Sequence, residues 1–309
     1  MGPHRPGTVP VKGTYQYQNV KLSSLPDLNG TLDSRGNFNG TLAQINVAGD
    51  ANVLDFRIGR ARHGSTVNAN FQAAVDPIKG DVRLDKVLVR LNRTILMWSG
   101  SMARGEQQAG KTVTLTINSS NARVEDLFGL FSTENPPPMS RIIAFHGDMN
   151  VPPGDASVLH KMSLQGEFGI DKGLFSDKST EREMAKLSVS AVKGDKEEDL
   201  ENPQTVLLNV KGKLEASSGV ARLYRMSFNV PGAQATLTGT FTLEGYQSNM
   251  HGVLMTTGDV ADATTGIKSL FLKALTPFLK HHSQTKVVPF KVTGPLGKTT
   301  VSLDLSSKR

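Results

Sequence analysis

Residues Ala235–Leu243 read Ala-Thr-Leu-Thr-Gly-Thr-Phe-Thr-Leu. Side chains on a strand alternate between its two faces. Ala235, Leu237, Gly239, Phe241 and Leu243 therefore share one face, and Thr236, Thr238, Thr240 and Thr242 the other. The pattern recurs: Val113, Leu115 and Ile117 alternate with Thr112, Thr114 and Thr116, and Val301, Leu303 and Leu305 with Ser302, Asp304 and Ser306. Most of the chain is written this way. The fold class it predicts is mainly β: a long, curved, mostly antiparallel sheet forming an apolar groove, with short helices and one C-terminal amphipathic helix. What covers the apolar face is the functional question.

A chain of 309 residues usually holds about two domains. Its apolar fraction is 38% and its aromatic fraction 6%, lean for a globular protein. A deep core is hard to build from this, and an extended sheet only partly covered by protein fits better. The formal charge of +7 is spread along the chain without a block of Lys and Arg. Nucleic-acid binding needs a concentrated basic stripe with stacking aromatics, so no nucleic-acid partner is expected. Weak attraction to an anionic membrane surface is compatible with the charge. Cys is absent, which excludes disulfides and thiolate chemistry and suits a bacterial envelope and a cytosol alike. The stretch Met1–Gly7 has no apolar signal core, and no segment approaches the ~20 apolar residues of a membrane span. As written, the chain is expected to be soluble.

Residues 1–8 are expected to be disordered, 9–305 to form one β-groove domain with an internal joint near 132–140, and 306–309 to be a tail. Residues 9–60 read as short strands separated by turns, with hairpin turns at Asn29-Gly30 and Asn39-Gly40, because both residue types tolerate positive φ. Asp76-Pro77-Ile78-Lys79-Gly80 reads as a turn between strands Thr66–Val75 and Asp81–Leu91. Ala122–Phe131 reads as a short helix and Pro136-Pro137-Pro138 as a stop. A second short helix is expected near Thr180–Leu187, followed by a solvated acidic loop at Asp195–Glu201. Thr265–His282 carries the one strong helical period, with Ile267, Leu270, Phe271, Ala274, Leu275, Phe278 and Leu279 on a stripe. Pro277 either kinks it or opens a second helix behind Thr276. The stripe either caps the sheet, or rests on a membrane or gates a lipid path.

Gly105-Glu106-Gln107-Gln108-Ala109-Gly110-Lys111-Thr112 satisfies the letters of a phosphate-binding loop. That chemistry needs a helix N-terminus facing the anion, whereas Val113-Thr114-Leu115-Thr116-Ile117 reads as strand, and a hairpin loop explains the match. The histidines His4, His63, His146, His160, His251, His281 and His282 form no H-x-x-x-H or H-E-x-x-H pair. No metal site, cofactor or catalytic residue is therefore expected.

The chain resembles the C-terminal region of the AsmA family, bacterial envelope proteins related to TamB and YhdP, from about Val11 to Leu305. The resemblance rests on Leu28-Asn29-Gly30-Thr31-Leu32 with Gly40-Thr41-Leu42, Val75-Asp76-Pro77-Ile78-Lys79-Gly80-Asp81-Val82 and Pro136-Pro137-Pro138-Met139. Further pieces are Val151-Pro152-Pro153-Gly154-Asp155, Phe228-Asn229-Val230-Pro231-Gly232-Ala233, Thr264–Lys273 and Val287–Gly294, and their order along the chain carries the likeness. The resemblance implies a groove that moves phospholipids between inner and outer membranes, a place in the periplasm or cell envelope, and no catalytic residues. Family members usually begin with a membrane-anchoring helix, which this chain lacks, so it is expected to be a fragment, a split product or a wrongly called start.

The expected groove lining is Val113, Leu115, Ile117, Leu237, Phe241, Leu243, Val301, Leu303 and Leu305, with Phe271, Leu275 and Phe278 as the helix contact. Expected partners are phospholipid acyl chains, and beyond them a membrane surface or envelope proteins. The rival reading is an envelope assembly scaffold that binds outer-membrane protein segments by strand addition at a sheet edge.

Overall fold

The computed structural model describes residues 6–59, 61, 63–105, 110–130, 139–175, 208–230, 233–243, 245, 247–256, 286–295 and 300–304. Its strands are β1 (Pro10–Lys21), β2 (Leu28–Thr41), β3 (Gln44–Ile58), β4 (Ser65–Val75), β5 (Val82–Leu91), β6 (Thr94–Arg104) and β7 (Lys111–Arg123). They continue as β8 (Met139–Ser140), β9 (Ile142–Val151), β10 (Ser163–Phe175), β11 (Leu208–Ser217), β12 (Val220–Val230), β13 (Ala233–Thr242), β14 (Gln247–Thr256), β15 (Lys286–Pro295) and β16 (Thr300–Leu303). Two short helices, α1 (Val124–Gly129) and α2 (Val158–Lys161), stand among them. The fold is mainly β, a curved and unclosed antiparallel sheet. Its hydrogen-bonded order follows the chain from β1 to β7 and β9 to β16, and β8 pairs with β10 off that path.

The chain divides into two compact units: Met1–Thr133 with Ala144–Gly166 and Ala216–Gly219, and the remainder. In the first unit, β1, β2 and β3 are 12, 14 and 15 residues long. They replace the short strands and Asn-Gly turns expected from the sequence. Asn29-Gly30 and Asn39-Gly40 both lie inside β2. Gly30 and Gly40 do adopt positive φ, +135° and +140°, but the ladder uses it without reversing the chain. At Gly30 the register with β3 shifts between Asn29 and Thr31, a bulge. A Cβ there would stand 2.9 Å from Val53 Cγ1. The reversal itself falls at Leu42-Ala43. There Leu42 N–H donates to the Val9 carbonyl and Ala43 N–H to the Gly7 carbonyl, each at 3.1 Å, which ties the 3-10 turn Pro6–Thr8 to the hairpin.

Helix α1 sits within the segment expected to be helical. The Asp126 carboxylate accepts the Arg93 N–H at 3.1 Å and the Thr94 hydroxyl at 2.9 Å, so the helix is pinned to the β5–β6 turn. Leu130 accepts from Ile58 N–H at 2.9 Å. Around this contact lie the first unit's most buried residues, among them Leu91, Thr94, Val89, Ala122 and Val124. Helix α2 escapes the sequence reading; Ser157 caps it by accepting the His160 N–H. The expected helices at 180–187 and 265–282, the Pro run 136–138 and the acidic loop 195–201 lie outside the described residues.

Candidate apolar binding face

Register, more than any single strand, builds the first unit's apolar face. Reading across β1 to β7, Val11, Gly40, Ile45, Val75, Val82, Met102 and Val113 stand opposite one another in sequence. The next row is Gly13, Phe38, Val47, Ala73, Leu84, Gly100 and Leu115. The third is Tyr15, Gly36, Gly49, Phe71, Val87, Trp98 and Ile117. Three of the expected lining residues, Val113, Leu115 and Ile117, each end one of these rows on β7. Six strand spacings of ~4.8 Å make a row ~29 Å long. That exceeds the ~15 Å filled by the acyl chains of one leaflet, half of a ~30 Å hydrocarbon core.

Aromatic rings keep this face thin. A Cβ on Gly13 would stand 2.6 Å from Phe38 Cζ, and one on Gly36 would stand 2.8 Å from Tyr15 Cε1. The rings occupy the space a side chain on the cross-strand glycine would need. Most row residues are half-buried; Ala73, Val87 and Leu115 are buried. Burial thus rises from the β1 edge toward β7 and α1. Trp98 is half-buried, and its indole Nε1 is buried without a hydrogen-bond partner.

The second unit repeats the device. Met226, Leu237, Gly252, Phe290 and Leu303 form a row across β12 to β16. Beside it run Leu223, Gly239, Met250, Val292 and Val301. Phe290 lies over Gly252, with its Cζ 2.7 Å from where a Cβ would be, and is 0% exposed. Leu237 is 8% exposed, while Phe241, Leu243 and Leu303 are half-buried. Leu243 falls in the turn just past β13 and does not extend its ladder. Leu305, Phe271, Leu275 and Phe278 lie outside the described residues.

Threonines expected on the wet face behave so where the face is open: Thr114, Thr236 and Thr238 are exposed. A trough of about 810 Å³ runs along β1–β5, lined by the polar Gln16, Arg35, Asp50, Asn70, Gln72 and Lys86 and also by Tyr15, Gly36, Gly49 and Phe71 of the third row. None of the expected lining residues contributes to it. The Asn70 side-chain amide bonds the Asp50 carboxylate and accepts from Arg90 at 3.4 Å. These polar side chains form a hydrogen-bonded ladder unsuited to hydrocarbon.

The phosphate-loop-like run meets β7, not a helix: Lys111 opens the strand. Its ammonium bonds the Gly80 carbonyl and lies 3.3 Å from Asp81. His251 Nδ1 meets the buried Asp304 carboxylate at 2.7 Å, one hydrogen-bonded pair. Among the described residues no three His, Asp or Glu side chains gather as metal ligands, and no helix is long and apolar enough to cross a membrane.

Sequence reasoning missed Tyr15, Phe38, Phe71, Trp98 and Phe290 as members of the face. Alternation within Val67-Ala69-Phe71-Ala73 was a usable signal. The seating of Tyr15, Phe38 and Phe290 against glycines on other strands was not, because it depends on register. No family model matches the chain, and neither a curated protein nor a solved structure matches it significantly.

Proposed function

We propose that the chain is a non-enzymatic lipid-binding protein that carries phospholipid acyl chains along the apolar face of its sheet, in the cell envelope. The observation that carries the reading is the set of three registered apolar rows across β1–β7, whose side chains on β1–β3 stay half-exposed. An acyl methylene leaves water with ~0.8 kcal/mol of gain, so a chain shielded on one side along such a row gains on the order of 5 kcal/mol. Sliding needs no fixed polar hold on each lipid. The likeness to AsmA-family segments supports a role in phospholipid transport between membranes or in outer-membrane biogenesis.

The test is native extraction with mass spectrometry of the bound material. Phospholipid is expected with the wild type. Ile45→Asp with Val47→Asp, both half-exposed on the apolar rows, is expected to lower it at least tenfold, and Asn46→Asp on the opposite face to leave it unchanged. Equal lipid on all three folded proteins contradicts the assignment. The scaffold reading draws on β1, a 12-residue strand at the end of the sheet order with β2 as its one ladder partner among the described residues. Peptide in place of lipid would favour strand addition there.

A further inference from the structure

In the first unit, alternate turns of an antiparallel sheet fall at the same end of the strands, so the start of β1, the β2–β3 turn and the β4–β5 turn share one rim. Each presents an apolar tip: Val9, Leu42 and Ile78 are exposed, Ile78 at 82%. Val9 and Leu42 are joined by a backbone hydrogen bond. Ile78 is held out by a closed turn. The Asp76 carboxylate accepts the N–H groups of Ile78 and Lys79 at 2.9 and 3.0 Å, and Gly80 N–H donates to the Asp76 carbonyl at 2.7 Å. Such a tip contributes nothing to a core.

Among the described residues, Asp76 at this rim is engaged by its own turn, and Asp81 lies against Lys111 and accepts the Arg104 N–H at 3.2 Å. Lys12, Lys79 and Arg104 are exposed and, among the described residues, in no ion pair. The opposite end of the same strands also exposes Leu25 and Leu54, among both acids (Asp27, Asp33) and cations (Lys21, Arg93), with Asp55 paired to Arg57 at 2.8 Å. Exposed apolar tips flanked by cations in no ion pair suit an anionic bilayer surface.

We infer that the Val9–Leu42–Ile78 rim docks the first unit on an anionic phospholipid surface, with the three tips in the headgroup–acyl boundary and Lys12, Lys79 and Arg104 among the phosphates. The evidence comes from residues outside the apolar rows, so this docking stands or falls separately from acyl binding.

Co-sedimentation of the full chain with vesicles of phosphatidylglycerol and phosphatidylcholine tests it. Wild type is expected to bind vesicles containing phosphatidylglycerol and to be released by 0.5 M salt, a concentration at which charges are screened within about 4 Å. Ile78→Asp is expected to weaken binding about tenfold with the melting temperature unchanged, Lys79→Glu to weaken it severalfold, and Leu25→Asp to leave it intact. Absence of wild-type binding, full binding by Ile78→Asp, or an equal loss with Leu25→Asp overturns the proposal. Bound phospholipid retained by Ile78→Asp separates the rim from the face.

Discussion

Strands β1–β3 and β13–β15 obey the same alternation, yet their apolar faces are covered to different degrees. No residue of β1, β2 or β3 is buried. In the other region Ala235, Leu237, Leu254 and Phe290 are all buried. Both regions lay an aromatic ring over a cross-strand glycine: Phe38 over Gly13, Phe290 over Gly252. One ring stays half-exposed and the other vanishes from solvent. Alternation thus decides which side of a strand is oily, and something non-local decides whether that side is sealed. A sealed side supports stability; an open one is free to hold a ligand.

The largest expected effect separates the two rings. Phe290→Ala removes a fully buried side chain and should cost ~3–5 kcal/mol. Phe38→Ala, at a half-exposed ring, should cost about half as much. Urea unfolding midpoints read both, and equal losses would mean that the two rings are equally covered. The next effect concerns the closed end of the first unit. Asp126→Ala strips the buried Thr94 hydroxyl of its acceptor and should cost ~1–3 kcal/mol. Hydrogen exchange should then quicken at Val124–Gly129 and stay unchanged in β1–β3. Quickening spread evenly through β1–β7 would mean that α1 is no local plug.

The smallest effect lies at the β4–β5 turn. The Lys79 and Ile78 N–H groups, with the Lys79 charge, hold the Asp76 carboxyl below the usual carboxylate range, against a weaker opposing effect of desolvation. A depressed folded-state value means that the carboxylate stabilises the fold above its unfolded pKa, and that this contribution is lost as pH falls through the folded one. Melting temperature should therefore drop less between neutral and acid pH for Asp76→Asn than for wild type. Identical profiles would remove Asp76 from the account of the turn.

Fold class was legible because alternation is local: Val113-Thr114-Leu115-Thr116-Ile117 and Ala235–Leu243 declare strands on their own. The Asp76–Gly80 turn was legible for the same reason, since Asp, Pro and Gly act within five residues. The 14-residue strand β2 was not. Its Gly30, Gly36 and Gly40 interrupt the apolar letters, and Asn-Gly reads as a turn until the partner strand is in view. The candidate face was half legible. Val113, Leu115 and Ile117 mark its β7 side, but Tyr15, Phe38, Phe71 and Trp98 join them only through register across as many as six intervening ladders. Degree of cover, which separates Leu237 from Ile117, leaves no mark in either segment.

Hydrocarbon is proposed to lie on the open rows of the first unit, and the chain carries its own reporter there. Trp98 is the sole tryptophan and stands in the third row between Val87 and Ile117. Its fluorescence should be quenched by phospholipid brominated on its acyl chains and supplied as monomers, and Ile45→Asp with Val47→Asp should abolish the effect. Undiminished Trp98 emission at saturating brominated lipid, from a folded wild-type chain, would contradict the account.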